Sequence, residues 1–169
     1  MRAPVFPWGE AMQEPTDGGV KRFVHRIQAR DIEHGGSASA QIQRELRAWG
    51  VSAGDARRAG IAAFEGEMNL IVYTDHGGTV EVDVYPEAIE ILIEDDGPGI
   101  GDIDLALTPG YSTAPGWATD LGFGAGMGLP NIQRNSDWFE IHSHMGKGTR
   151  VRCRIERRKD DAPRTGHAS

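Results

Sequence analysis

Two polar residues, Glu65 and Asn69, lie four positions apart in a segment with the periodicity of a helix. Residues at this spacing share one face of a helix, so the carboxylate and the amide would point in the same direction. The carboxylate could then take a proton as a general base, and the amide oxygen could bind Mg²⁺. The spacing alone does not distinguish such a site from two polar side chains that simply face solvent. Glu67 is expected on the other side of the helix.

A second candidate is Asp95, which ends a predicted strand and leads into Gly97-Pro98-Gly99. A carboxylate at a strand end can accept a hydrogen bond from an exocyclic amine. The glycines allow the backbone to approach a planar or anionic ligand without interference from a Cβ atom. An ordinary acidic turn has the same composition, so this segment alone leaves both interpretations open.

A second glycine cluster has glycine at alternate positions, Gly122, Gly124, Gly126 and Gly128, immediately before a predicted helix. Successive N–H groups and the positive end of a helix would face phosphate oxygens, although a flexible surface loop has the same composition. The sequence has no G-x-x-x-x-G-K-[ST], and this cluster has no G-x-G-x-x-G with an acidic residue about twenty positions later. Walker-type ATPases and dinucleotide-binding folds are therefore disfavoured.

The charge distribution is uneven. Residues 59 to 133 contain no Lys or Arg but thirteen Asp and Glu, which fits either a solvated acidic face or a site that holds a metal cation. The net charge of −7 disfavours nucleic acid or an anionic membrane as the main partner. The single cysteine, Cys153, cannot form an intramolecular disulfide, and the sequence has no apolar run of spanning length and no signal-like start. We therefore expect a cytoplasmic protein.

The elements that position these residues follow from hydrophobic periodicity. We predict strands at 20–27, 79–85, 89–95, 138–143 and 149–156, and helices from Ser37 or Ser39 to Gly50, from Asp55 to about Thr74, and over 130–137. The serines and Asp55 are predicted helix caps. In the second helix, the predicted buried stripe is Ile61, Phe64, Met68 and Ile71 or Val72.

This order of elements predicts an α+β fold, a two-layer α/β sandwich in which helices cover one face of a mixed, mostly antiparallel sheet. The chain length predicts one domain, at residues 20–156. Residues 1–19 are predicted to be a flexible arm, and residues 157–169 a disordered tail.

The motifs together resemble the ordered sequence boxes of the GHKL ATPase superfamily. These are E-x-x-x-N on a helix, D-x-G-x-G at a strand end, G-x-G-x-G before a helix, and Gly148-Thr149 in a hairpin. The runs from Glu94 to Ile100, from Gly110 to Thr113 and from Gly124 to Pro130 look like those of the anti-sigma regulatory serine/threonine kinases, especially the stressosome switch-kinase branch. The resemblance covers about residues 20 to 156 and implies the Bergerat ATP-binding fold.

The resemblance implies a role for each matching residue. Asn69 would ligate Mg²⁺, Asp95 would bind the adenine amino group, and Glu65 would be the general base that orients a target hydroxyl. Gly97 and Gly99 would pack against the adenine, and Thr149 would back its pocket. The further cofactor-binding residues would be Ile100, Ser112, Thr113, Gly124, Gly126, Met127, Gly128 and Leu129.

The chain departs from this family pattern in the segment that would close over ATP, residues 101–121, here called the lid. The lid contains no Lys or Arg to reach the γ-phosphate, and residues 115–120 form an insertion relative to the shorter lid expected. Arg134, or an Arg from a partner, could supply the missing charge.

The resemblance implies an ATP- and Mg²⁺-dependent serine/threonine protein kinase that phosphorylates a STAS-domain antagonist in a partner-switching pathway. A sigma factor or a PP2C-type phosphatase would be a further partner. The alternative is a non-catalytic module in which ATP gates binding to such a partner. A sensor histidine kinase is disfavoured because His34 is followed at once by Gly35-Gly36 and no long heptad pattern precedes it.

Overall fold

The computed structural model describes residues 20 to 158. Its strands are β1 (Lys21–Ile27), β2 (Gly78–Val84), β3 (Ala88–Asp95), β4 (Trp138–His144) and β5 (Gly148–Glu156), and its helices are α1 (Ser37–Ala48), α2 (Ala53–Tyr73), α3 (Ile103–Ala106), α4 (Gly116–Asp120) and α5 (Gly128–Arg134). The strands form one sheet in the order β1-β2-β3-β5-β4. The predicted arm and residues 159–169 of the predicted tail lie outside the described residues.

The inner face of the sheet forms the core with the helices. Val82 of β2 lies opposite Ile91 of β3, and both side chains are buried. Alternation places every second residue of these strands on the same face, where α2 packs. Gly66 allows this close packing, since a Cβ atom there would lie 2.5 Å from Cδ1 of Ile93. The predicted two-layer α+β sandwich is confirmed, with antiparallel pairing throughout the described residues.

The outer face of the sheet carries charged side chains that pair across the strands. Arg22 donates to Asp83 at 2.6 Å, and Arg154 donates to Glu90 at 2.7 Å. The row from Arg22 to Arg154 is continuous, because Asp83 also lies opposite Glu90 in the register. This arrangement neutralises the face within the sheet itself.

The cap of α1 differs from the prediction. Gly36 is the N-cap residue and neither predicted serine side chain caps the helix. The carboxylate of Glu67 accepts hydrogen bonds instead, from the backbone N–H groups of Gly36, Ala38 and Ser39 at 3.0 to 3.2 Å. Glu67 is buried and fastens α1 to α2, so a distant residue satisfies the free N–H groups of the first turn.

Two predictions for α2 were also wrong. Ser52 is its cap and accepts from the N–H of Asp55, which lies buried within the first turn. Phe64 is 41% exposed and Ile61 is half-buried, so neither belongs to a buried stripe. The cause is that α2 packs against α1, α5 and the sheet, and small residues make much of the contact: Ala56, Ala59, Ala62, Ala63 and Gly66 are all buried. A single stripe of large side chains does not describe a helix with several neighbours.

The third predicted helix is present, but α5 begins at Gly128 and ends at Arg134. The lid contains two short helices, α3 and α4, that were not predicted; four or five residues are too few for a periodic pattern. At the end of the described chain, the N–H of Arg157 donates to the carbonyl of Glu87, and the N–H of Arg158 donates to Asp55.

None of the helices in the described part is long and apolar enough to span a membrane.

Candidate functional site

A cavity of about 750 Å³ lies between α2, the ends of β3 and β5, and the lid. Ten of the predicted site residues line it: Asn69, Asp95, Gly99, Ile100, Ser112, Thr113, Gly126, Gly128, Leu129 and Thr149. The other four, Glu65, Gly97, Gly124 and Met127, are not among its lining residues. The fold therefore brings residues from all four sequence boxes to one concave surface.

The end of β3 forms one side of the cavity. The Asp95 carboxylate accepts a hydrogen bond of 2.8 Å from the N–H of Gly97. Burial raises the pKa of Asp95 above its ordinary value, although hydrogen bonds from the N–H groups of Gly97 and Thr149 oppose the shift. A half-buried acceptor in this position suits a ligand that brings an N–H donor.

The glycine turn after Asp95 is fixed against the β4–β5 hairpin. Gly99 has φ of +78°, and a Cβ atom there would overlap the carbonyl of His144. The N–H of Ile100 donates to the Ser143 hydroxyl at 2.8 Å, and that hydroxyl shares a hydrogen bond of 2.8 Å with Thr149. Glycine is thus required at 99 both by its dihedral angle and by the close approach of the hairpin.

Helix α2 supplies the opposite wall. Asn69 lines the cavity and faces α5, where a Cβ atom at Gly128 would lie 2.8 Å from its Oδ1 atom. Glu65, one turn earlier, accepts a hydrogen bond of 2.7 Å from Nδ2 of Asn131 in α5. Both residues therefore lie on one face of α2, as their spacing predicts, and this face is directed at α5. Asn69 lines the cavity, whereas Glu65 does not.

The lid is hydrogen-bonded to α2 and to the glycine-rich segment. The hydroxyls of Tyr73 and Ser112 share a hydrogen bond of 2.9 Å, which joins the lid to the end of α2. The N–H of Gly110 donates to the carbonyl of Gly126 at 2.9 Å, so the lid and the glycine-rich segment meet there. Gly126 has φ of +74°, and a Cβ atom there would overlap the backbone of residues 110 and 111. The lid thus covers one side of the cavity.

Several lining residues were not predicted. Tyr73 lies four positions after Asn69, so the helical spacing that links Glu65 to Asn69 would also have indicated it. Trp117 lines the cavity from α4. Arg30, between β1 and α1, lines the cavity as well, and no motif indicated it. Arg134, the predicted source of positive charge, is not among the lining residues.

The sequence matches a known family over much of its length. The sequence profile of the histidine kinase-, DNA gyrase B-, and HSP90-like ATPases matches residues 54–159.

Individual relatives agree with this match. The serine/threonine-protein kinase RsbT of Bacillus subtilis is 32% identical over 120 residues, which are 69% of this chain and 84% of RsbT. The anti-sigma F factor of Clostridium novyi is 33% identical over 72 residues, 43% of this chain and 47% of that protein. The anti-sigma F factor of Clostridium acetobutylicum is 34% identical over 95 residues, 54% of this chain and 63% of that protein. The chain therefore belongs to the histidine kinase-, DNA gyrase B-, and HSP90-like ATPase family, the superfamily that its sequence motifs indicate.

Proposed function

We propose that the protein is an ATP-dependent serine/threonine protein kinase of a partner-switching pathway. The observation that carries this proposal is the convergence of Asn69, Asp95 and Gly126 on one cavity that is large enough for a nucleotide. The relationship to a serine/threonine kinase across most of that relative's length supports the reaction class.

ATP is proposed to bind with its adenine at the β3 end of the cavity. The Asp95 carboxylate accepts from the adenine amino group, Gly99 and Ile100 lie along the base, and Thr149 backs it. The phosphates extend toward Asn69 and toward the backbone N–H groups of the glycine-rich segment, next to Gly126, Gly128 and Leu129. Ser112 and Thr113 line the cavity from the lid. Gly97, Gly124 and Met127 shape the backbone behind these lining residues.

Mg²⁺ is the proposed metal, and Asn69 is its proposed protein ligand. The donor set fits this ion, because Mg²⁺ is commonly held by one or two protein oxygens together with substrate phosphates and water. The described residues contain no cluster of three or more His, Cys, Asp or Glu side chains that could hold a metal without a substrate. When bound, Mg²⁺ would neutralise phosphate charge in a cavity that is poor in basic residues.

Glu65 is the proposed general base. The γ-phosphoryl group moves from ATP to the hydroxyl oxygen of a serine or threonine, ADP leaves, and Glu65 takes the hydroxyl proton. Asn131 donates to one Glu65 oxygen, which fixes the orientation of the carboxylate. Binding of the partner must bring the target hydroxyl within hydrogen-bond reach of this group.

The proposed substrate is a STAS-domain antagonist protein, and a sigma factor or a PP2C-type phosphatase is the proposed alternate partner. The relatives' names support this assignment: one is a serine/threonine kinase and the others are anti-sigma factors. Such a pathway would operate in the cytoplasm.

Intact-mass measurement of a candidate STAS partner after incubation with Mg²⁺ and ATP tests the proposal. We expect the partner to gain the mass of one phosphate, and Glu65→Gln to abolish this gain while retaining ATP affinity. Glu87→Gln is the matched control, because Glu87 is exposed in the β2–β3 turn at the opposite end of the sheet from Asp95. Equal transfer by the Glu65→Gln and wild-type proteins would refute the role of the base.

A non-catalytic, ATP-gated binding module is the second candidate. It is favoured by the position of Glu65, which is not among the lining residues and accepts a hydrogen bond from Asn131. In that case partner binding would depend on ATP, and no phosphate would be transferred to any partner.

A further inference from the structure

The cavity contains an unusual distribution of charge. Three aspartates, Asp75, Asp95 and Asp102, line it, and Arg30 is the one Lys or Arg among its lining residues in the described chain. Arg30 comes from the β1–α1 connection, outside the stretch from 59 to 133 that has no basic residue. An exposed guanidinium at the edge of an otherwise acidic cavity is suited to bind an anion.

The backbone of Arg30 is held in an unusual conformation. Its φ of +63° is the only positive φ of a non-glycine residue in the described chain. Its N–H donates to the carbonyl of Ile71 in α2 at 2.9 Å, and its carbonyl accepts from the N–H of Ile32 at 2.9 Å. A left-handed conformation is unfavourable for arginine, so these contacts must hold it, and residues held in this way occur often at ligand sites.

The lid positions the side chain of Arg30. Its Cζ atom lies 5.9 Å from the ring centroid of Trp117, at cation–π distance. Trp117 belongs to α4, within residues 115–120, the segment that is inserted relative to the expected lid. The segment predicted to be an insertion therefore also contains the residue that contacts Arg30, the one Lys or Arg that lines the cavity in residues 20 to 158.

We propose that Arg30 binds the phosphate chain of ATP and that Trp117 orients it, so that the β1–α1 connection supplies the cation that the lid lacks. This inference rests on the proposed function, because it requires ATP in the cavity. An arginine at this position donates two hydrogen bonds to phosphate oxygens, and Trp117 restricts the rotamers from which it does so. Because Trp117 belongs to the lid and contacts Arg30, closure of the lid would also position the guanidinium that neutralises the phosphates.

Calorimetric titration of ATP, ADP and adenosine with the full chain in the presence of Mg²⁺ tests this inference. The principal variant is Arg30→Asn, because asparagine tolerates the left-handed conformation and removes the charge without adding strain. Arg30→Lys retains the charge without the planar fork. Arg26→Asn is the matched control, since Arg26 is exposed on β1, four residues earlier, and is not a lining residue.

We expect Arg30→Asn to weaken ATP binding about ten- to a hundredfold, the usual effect of losing a hydrogen bond to a charged group, and to leave adenosine binding unchanged. Arg30→Lys should recover part of the loss, and Arg26→Asn should match the wild-type protein. Trp117→Leu should weaken ATP binding by a smaller factor than Arg30→Asn.

Two results would overturn the inference: ATP binding by Arg30→Asn that equals the wild type, or equal weakening of ATP and adenosine, which would show that Arg30 only packs against the lid. Failure of the wild-type protein to bind ATP would instead refute the proposed function.

Discussion

Acidic residues on the outer face of the sheet form ion pairs, whereas in the described chain those that line the cavity do not. On the outer face, Glu90 and Glu94 pair with Arg154 and Arg150, and the Arg150–Glu94 pair is almost fully buried. At the cavity, no ion pair involves Asp75, Asp95 or Asp102 anywhere in residues 20 to 158. The fold therefore gives the first set a counter-charge, whereas in the cavity Asp95 and Asp102 accept from backbone N–H groups, including those of Gly97 and Leu105.

This difference separates residues that stabilise the fold from residues that are available for function. A charge that already has its partner contributes to folding, and its loss should affect stability more than binding. A carboxylate without a counter-charge in a cavity is available to a ligand, and its loss should affect binding more than stability. Substitutions at the two kinds of site should therefore separate in their effects on stability and on binding.

The buried pair on the outer face should give the largest effect. Arg150→Met removes one partner and leaves Glu94 buried without its counter-charge, which should lower the free energy of unfolding by about 3–5 kcal/mol. Arg152→Met is the matched control, because Arg152 is exposed on the same strand and should change stability by about 0.5 kcal/mol or less. Urea denaturation measures both. Similar losses for the two variants would contradict the distinction between them.

Asp95 should determine base selectivity. A carboxylate favours the adenine amino group and repels the carbonyl oxygen that inosine has in its place, so the wild-type protein should prefer ATP over inosine triphosphate by about a hundredfold or more. Asp95→Asn should narrow this preference, because an amide can both donate and accept. Competition binding measures the ratio. An unchanged ratio would show that Asp95 does not contact the base.

The raised pKa of Asp95 also predicts a pH dependence of stability. Ionisation of Asp95 is less favourable in the folded state than in the unfolded state. The resulting loss of stability is absent below the ordinary pKa of an aspartate, and it grows as the pH rises through that value toward the raised pKa. Asp95→Asn cannot ionise. The free energy of unfolding of Asp95→Asn, relative to that of the wild-type protein, should therefore increase as the pH rises between the ordinary and the raised pKa. Urea denaturation at a series of pH values measures this difference. A difference that is constant with pH would contradict the shift.

The contact between α2 and the lid should have a moderate effect. Tyr73→Phe removes the hydrogen bond to Ser112 and should weaken ATP binding by up to about tenfold, the usual range for a neutral hydrogen bond. Tyr85→Phe is the control, since Tyr85 follows β2 at the end of the sheet remote from Asp95. Calorimetry measures both affinities. Equal affinities in the Tyr73→Phe and wild-type proteins would show that this contact does not hold the lid.

The exposed charges of the outer face should give the smallest effect. Glu156 accepts from Arg154 at 2.8 Å, but its side chain is 56% exposed. Glu156→Gln should therefore change stability by about 0.5 kcal/mol or less, and by less still at high salt. Thermal denaturation at two salt concentrations measures this. A loss as large as that of Arg150→Met would show that exposure does not separate the two pairs.

The sequence determined the elements that have a strong local period or motif. Alternation in β2 and β3 is visible because each strand has one buried face, and their predicted ends lie within a residue of the observed ones. The spacing of Glu65 and Asn69 fixed their common face, and the glycine boxes fixed the family. These are properties of residues close together in the chain, so the chain itself records them.

Tertiary structure decided the features that depend on residues far apart. Glu67 caps α1 from α2, across 28 to 31 positions, and removes the need for a serine cap. Asn131 reaches Glu65 across 66 positions, and Arg30 meets Trp117 only because α2 and the lid bring their segments together. No local pattern marks such partners, because each is selected by packing geometry rather than by its sequence neighbours. The sequence thus established that a nucleotide site was to be expected, whereas folding decided which residues surround it.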